Sequence, residues 1–149
     1  MNQRILLVED NPTDEKLALR AFRGCAVRHE IVVVRDGAEA LDYLFRTGSH
    51  AGRTPADDPR VILLDLKLPR IDGLEVLRRI REDERTRFLP VVVLSASRED
   101  EDMRRCLSLG ANAYLRKPVD FPQFEAAARL LAAFWLELNE PLPSQRSST

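Results

Sequence analysis

Three carboxylates, one hydroxyl and one ammonium stand at the ends of short apolar runs in this sequence. Glu9 and Asp10 follow Ile5-Leu6-Leu7-Val8, Asp65 follows Val61-Ile62-Leu63-Leu64, and Ser95 follows Val91-Val92-Val93-Leu94. Lys117 closes the weaker run Ala113-Tyr114-Leu115-Arg116. Each residue has an ordinary use by itself. An acid before Asn-Pro favours a helix N-terminus through its dipole, and a lone Asp or Ser after a strand caps a turn. As a group they suggest chemistry. Carboxylates held close together repel, and at least one takes up a proton unless a cation intervenes. A few carboxylates with open coordination positions suit Mg²⁺, which keeps waters and accepts a phosphoryl oxygen. A lysine adds a point charge suited to phosphate, and a hydroxyl adds a donor. The set fits phosphoryl transfer, with Mg²⁺ and Lys117 neutralising charge on an in-line transition state.

The grouping requires a scaffold that brings these run-ends to one place. Ile31-Val32-Val33-Val34 adds a fifth apolar run. Uninterrupted β-branched runs read as strands covered on both faces. Helical segments separate them. Asn11-Pro12, Asp36 with Glu39, Asp72 with Glu75, Ser97, and Asp120 with Gln123 read as their starts, with side-chain oxygens capping orphan N–H groups. Gly24, Gly48 and Gly110 read as left-handed stops. Strict β-α alternation implies an α/β protein, a doubly wound, five-stranded parallel sheet with helices on both faces. All carboxyl ends of such a sheet lie on one edge, where ligands bind.

Composition narrows the classes. The chain has 149 residues with 23 Lys+Arg against 24 Asp+Glu, the span of one ordinary domain. A net charge of −1 gives no long-range pull towards nucleic acid or anionic lipid. The two cysteines, Cys25 and Cys106, lack metal-ligand spacing and read as reduced thiols. The N-terminal apolar run is too short for a signal-peptide core. The longest apolar run, Leu130–Leu136, is far below the roughly 18 residues of a membrane span. These features predict a soluble cytoplasmic protein with no nucleic-acid or membrane partner. Thr47–Pro59 reads as a long polar loop. Residues 1–140 read as one domain with an extended fifth helix, and 141–149 as a flexible C-terminal tail.

The segments Leu7-Val8-Glu9-Asp10-Asn11, Leu64-Asp65-Leu66-Lys67-Leu68-Pro69-Arg70-Ile71-Asp72-Gly73, Val93-Leu94-Ser95-Ala96 and Gly110-Ala111-Asn112-Ala113-Tyr114-Leu115-Arg116-Lys117-Pro118 resemble, in order and spacing, the receiver domain of two-component response regulators. The resemblance runs from about Arg4 to about Leu138. It implies the flavodoxin-like receiver fold, strand order 2-1-3-4-5, and a phospho-accepting signalling domain that is not a turnover enzyme. It implies Asp65 as phospho-acceptor, Asp10 as a direct Mg²⁺ ligand, Glu9 acting through water, and the Lys67 carbonyl as a further ligand beside Asp65. Lys117 would bind phosphate across a cis bond to Pro118. Ser95 would be the switch hydroxyl and Tyr114 the coupled aromatic.

Other features refine the expectation. No output domain is expected after the receiver, and His29 and His50 read as spectators. On the extended helix, Phe124, Ala127, Ala128, Leu131, Trp135 and Leu138 form one stripe, with Leu130 and Phe134 outside it. The surplus suggests a partner surface, with Phe134, Trp135 and Leu138 as candidate homodimer contacts. The long loop and Trp-Leu-Glu-Leu-Asn-Glu-Pro are similar to single-domain response regulators that work with bacterial phytochrome histidine kinases. The alternatives are an unphosphorylated receiver-like interaction module, a phosphorelay intermediate for another sensor kinase, or an aspartyl phosphatase. Lys67 disfavours the phosphatase, since that chemistry usually wants a second Asp at its position.

Overall fold

A computed structural model describes residues 3–118 and 120–146. Five strands, β1 (Arg4–Val8), β2 (Glu30–Val34), β3 (Val61–Asp65), β4 (Val91–Ser95) and β5 (Ala113–Arg116), form one sheet in the order β2-β1-β3-β4-β5. All four pairings are parallel. Five helices alternate with them: α1 (Pro12–Arg23), α2 (Gly37–Phe45), α3 (Gly73–Glu82), α4 (Asp100–Ser108) and α5 (Phe121–Ala132). This is the expected doubly wound, flavodoxin-like arrangement.

The runs of β1, β3 and β4 are buried on both faces, that of the edge strand β2 only partly, and side-chain parity sorts them between two cores. Leu6, Val8, Ile62, Leu64, Val91 and Val93 point to the side covered by α2, α3 and α4, against Leu44, Leu77 and Ile80. Ile5, Leu7, Val61, Leu63, Val92 and Leu94 point to the other side, against Phe22 of α1 and Phe124 of α5. β3 and β4 are buried at every position.

The helix starts follow the capping chemistry in four cases. Asn11 Oδ1 accepts from the N–H groups of Thr13 (2.9 Å) and Asp14 (3.1 Å). Asp36, Asp72 and Asp120 accept from Glu39, Glu75 and Gln123 at 2.7, 3.0 and 2.9 Å. The fourth helix differs from expectation. It begins at Asp100, not at Ser97. Ser97 Oγ accepts from Glu99 N–H at 3.2 Å and donates to Asp102 at 2.6 Å, which closes a turn ahead of the helix. Of the stops, Gly110 after the fourth helix is left-handed as expected (φ 101°), and the first two differ. Gly24 is right-handed (φ −78°), and α2 ends on a left-handed Arg46 (φ 58°) before Gly48 is reached.

Beyond α5 the chain continues as π turns over Ala133–Leu138, with Asn139 N–H donating to Phe134 O five residues back at 2.7 Å. Phe124 and Ala128 are buried as expected, but Ala132, still within α5, and then Leu136 continue the line, and Leu138 is 73% exposed. The Arg60 guanidinium donates to the carbonyls of Leu136 (3.3 Å) and Asn139 (3.2 Å) at this helix end.

The loop 47–59 and the segment after Glu140 correct the sequence reading most. The loop holds two short 3₁₀ turns, Gly48–His50 and Pro55–Asp57. Arg53 organises it: the guanidinium stacks 3.6 Å from the Tyr43 ring centroid, and donates to Tyr43 O, Asp57 O and Asp58 Oδ1. The buried Asp58 also accepts from Arg46 at 3.1 Å. The stretch 141–149, expected as a flexible tail, packs against this loop as far as Gln145; residues 147–149 lie outside the described residues. Leu142 joins the α2–α3–α4 core. Gln145 is buried, and its Nε2 donates to Asp58 O at 3.2 Å and Pro59 O at 2.8 Å. A polar Ser/Gln/Arg-rich segment gave no hint of this, because the partners of Gln145 are backbone carbonyls 86 and 87 residues away. Replacing Gln145 with Ala leaves two buried carbonyls without that donor. Gln145→Ala is expected to cost about 1–3 kcal/mol, read as a lower urea midpoint at unchanged slope.

Candidate functional site

The register of the central strands puts the chemistry-bearing residues on one edge. Val8 pairs with Leu64, and Asp65 with Leu94, so Glu9 and Asp10, Asp65 and Ser95 emerge together where β1, β3 and β4 end. β5 brings Lys117 to the same edge: Ser95 pairs with Arg116, and Lys117 N–H donates to Ser95 O at 2.9 Å.

Two backbone features hold Asp65 in place. Lys67 N–H reaches towards Asp65 Oδ1 at 3.4 Å. Gly73, the first residue of α3, lies so close that a β-carbon there would stand 2.3 Å from Asp65 O. Only glycine admits that approach of helix to strand end.

Lys117 Nζ sits among three carboxylates: Asp14 Oδ2 at 2.8 Å, Glu9 Oε1 at 2.9 Å and Asp65 Oδ2 at 3.1 Å. Burial works against the charge on Lys117, but hydrogen bonds to Asp14 and Glu9 outweigh it and hold the ammonium's pKa above its usual value. Glu9 behaves the opposite way. Burial, helped by Asp65, pushes it up to about 7 in spite of its bond to Lys117. Glu9 Oε2 also accepts from Asn11 N–H at 3.2 Å.

Carboxylate oxygens of Glu9, Asp10 and Asp65 lie within 4.8 Å of one another. This all-oxygen set fits a hard divalent cation with open positions, in keeping with Mg²⁺ chemistry. A cavity of about 440 Å³ opens over it, lined by Asp10, Asp14, Asp65, Ser95 and Lys117 among others. Lys67 lines it too, on the strand-end loop.

Ser95 and Tyr114 are joined through one residue. Ser95 Oγ accepts from Ser97 N–H at 3.0 Å, and Tyr114 donates to Ser97 O at 3.4 Å. Ser95 is buried, while Tyr114 is half-buried against the α2–α3–α4 core. One expectation fails: no cis peptide bond occurs among the described residues, so the Lys117–Pro118 bond is trans. The trans form is the lower in energy for X–Pro by about 0.5–1 kcal/mol, and Lys117 reaches all three carboxylates with it.

Asp14 is the site residue that the motifs missed. At the third position of α1 it passes for an ordinary acid at a helix N-terminus. The dimer candidates lie elsewhere. Phe134 is 47% exposed and packs edge-on to Trp135, which is half-buried on the α1–α5 core.

A five-stranded parallel sheet with an acidic strand edge faced by one lysine defines a receiver. The family model for the response regulator receiver domain matches residues 5–129, and the chain belongs to that family of signalling domains. It is 44% identical over 135 residues to the probable methanogenesis regulatory protein FilR2 of Methanothrix harundinacea, across 91% of this chain and 84% of that one. It is similar to the bacteriophytochrome response regulator AtBRR (52% identity, TM-score 0.75, 94% of this chain and 99% of that chain). It also resembles the phosphorylated cyanobacterial phytochrome response regulator RcpA (38% identity, TM-score 0.87, 95% and 99%). The chain is thus a receiver-type response regulator related to phytochrome-associated ones. No helix among the described residues is long and apolar enough to cross a membrane.

Glu9 generates a pH signature. Its folded pKa of about 7 stands above the ordinary 4.5, so its stabilising contribution is complete below 4.5 and lost as pH rises through 7. In EDTA, the melting temperature of wild type relative to Glu9→Gln is expected to fall between about pH 5 and pH 8. Thermal melts across that range read it directly.

Proposed function

We propose that this chain is a response regulator that takes a phosphoryl group from a sensor histidine kinase onto Asp65, in a Mg²⁺-dependent reaction. The observation that carries the reading is Lys117 Nζ, 3.1 Å from Asp65 Oδ2, beside the Glu9–Asp10–Asp65 cluster. An Asp65 carboxylate oxygen attacks phosphorus in line. The bond from phosphorus to the donor nitrogen breaks, its electron pair returns to the donor, and an acyl phosphate forms. Glu9, Asp10, Asp65 and the Lys67 carbonyl would hold the cation, which neutralises charge on the transferring oxygens when bound. Lys117 offers an ammonium to the same oxygens, and Ser95 a hydroxyl donor.

The phosphoryl group adds about −1.5 to −2 charges and new acceptors. Drawing Ser95 Oγ towards them releases Ser97 N–H, and Ser97 O is the acceptor of Tyr114. The α4–β5–α5 face then follows as a biased two-state equilibrium. Likeness to RcpA and AtBRR supports a phytochrome-type kinase as partner and a role in light signalling in the cytoplasm. The match to FilR2 favours, as the second reading, a receiver serving a different sensor kinase.

Intact mass after incubation with Mg²⁺ and phosphoramidate is expected to show one phosphoryl adduct on wild type and none on Asp65→Asn. Equal adduct on both would end the reading.

A homodimer fits the exposed apolar residues Leu130 and Leu138, each 73% accessible, beside Phe134 on the extended fifth helix. Light scattering is expected to give a dimer mass for wild type and a monomer mass for Phe134→Glu with Leu138→Glu. Both positions are exposed, so the substitutions spare the core. A monomeric wild type would refute the dimer.

A further inference from the structure

Lysine has three N–H donors; Lys117 gives two of them to Asp14 and Asp65 and stands 2.9 Å from Glu9 as an ion-pair partner, so its ammonium is surrounded by carboxylates. An incoming phosphoryl oxygen needs one of those donors. The three partners are not equivalent. Glu9 and Asp65, with side chains only 5% and 9% exposed, belong to the cation-holding set, and Asp65 gives up its own carboxylate charge on becoming the acyl phosphate, so neither stays to compete for Lys117. Asp14 has a side chain 33% exposed at the mouth of the cavity, where water can replace the lysine. It is also held independently of Lys117, because Asn11 fixes the first turn of α1 through the N–H groups of Thr13 and Asp14.

We infer that Asp14 is a positioning residue that holds Lys117 as an exchangeable partner and yields it to the phosphoryl group. The inference rests on phospho-acceptance at Asp65. Asp14 keeps the ammonium at the cavity before the phosphoryl group arrives and competes with that group afterwards. Its own negative charge, on the same cavity wall, adds repulsion to an incoming dianion. Removing the charge removes both competition and repulsion, so the phosphoryl state becomes easier to reach and longer-lived. A carboxylate one methylene longer still reaches the ammonium and preserves the competition.

The test compares wild type with Asp14→Asn, Asp14→Ala and Asp14→Glu, in Mg²⁺, by three readouts. Calorimetry gives the affinity for beryllium fluoride, a phosphoryl mimic that needs no turnover. Intact mass gives the half-saturating phosphoramidate concentration, and then the adduct lifetime after the donor is removed. Asp14→Asn and Asp14→Ala are expected to bind beryllium fluoride roughly three- to tenfold tighter. Their half-saturating phosphoramidate is expected to fall and the adduct lifetime to lengthen by similar factors, with Asp14→Glu close to wild type. A purely structural acid at the helix start would shift the melting temperature and leave these affinities alone. Equal or weaker beryllium fluoride binding by both charge-removing variants, with wild type accepting a phosphoryl group normally, overturns the role of Asp14 alone. A wild type that accepts none overturns phospho-acceptance itself, and this inference with it.

Discussion

One lysine set among carboxylates is the interaction on which the rest of this molecule depends. The parallel sheet forces Glu9, Asp10 and Asp65 onto a single edge, where their charges repel one another. Lys117 relieves that repulsion, but only because β5 lies next to β4 and its last residues run alongside Ser95. The edge is stable only partly: even beside the ammonium, burial keeps Glu9 easier to protonate than a free glutamate. A site with an unmet demand for positive charge is primed for a divalent cation.

The same edge connects to the rest of the domain through few atoms. Ser97 uses its N–H for Ser95, its carbonyl for Tyr114 and its hydroxyl for Asp102 of α4. Any displacement of Ser95 is therefore felt at once by β5 and α4. α4 is well suited to respond, since within it only Cys106 is buried. An element that commits little apolar surface to the core can shift at small cost. β3 and β4, buried throughout, supply the fixed frame against which such a shift becomes a change of surface.

The opposite end of the sheet is secured by a separate device. Arg60 binds the carbonyls where the fifth helix unwinds, and Gln145 binds the carbonyls of Asp58 and Pro59. Arg46 and Arg53 neutralise the buried Asp58 between them. These contacts tie the long loop before β3, the helix extension and the following segment into one unit. The features that set this chain apart from a minimal receiver in sequence are thus joined in space, away from the acidic edge.

Apolar runs without polar gaps, bounded by capping residues, determined the alternation of strands and helices from sequence alone, because burial on both faces leaves no choice of residue type there. The acidic run-ends and Lys117 followed, since strand ends in a parallel sheet share an edge whatever the details. Tertiary structure decided everything that depends on partners distant along the chain. Asp14 looked like a helix-start acid until β5 placed Lys117 against it, 103 residues away. Gln145 looked like part of a tail until the loop offered it carbonyls. The buried line of the fifth helix runs through Phe124, Ala128, Ala132 and Leu136, and packing against the sheet and α1 decided that Leu136, not Leu138, faces the core. Local sequence encodes which backbone a segment prefers, whereas the identity of a side chain's partner is a property of the folded whole.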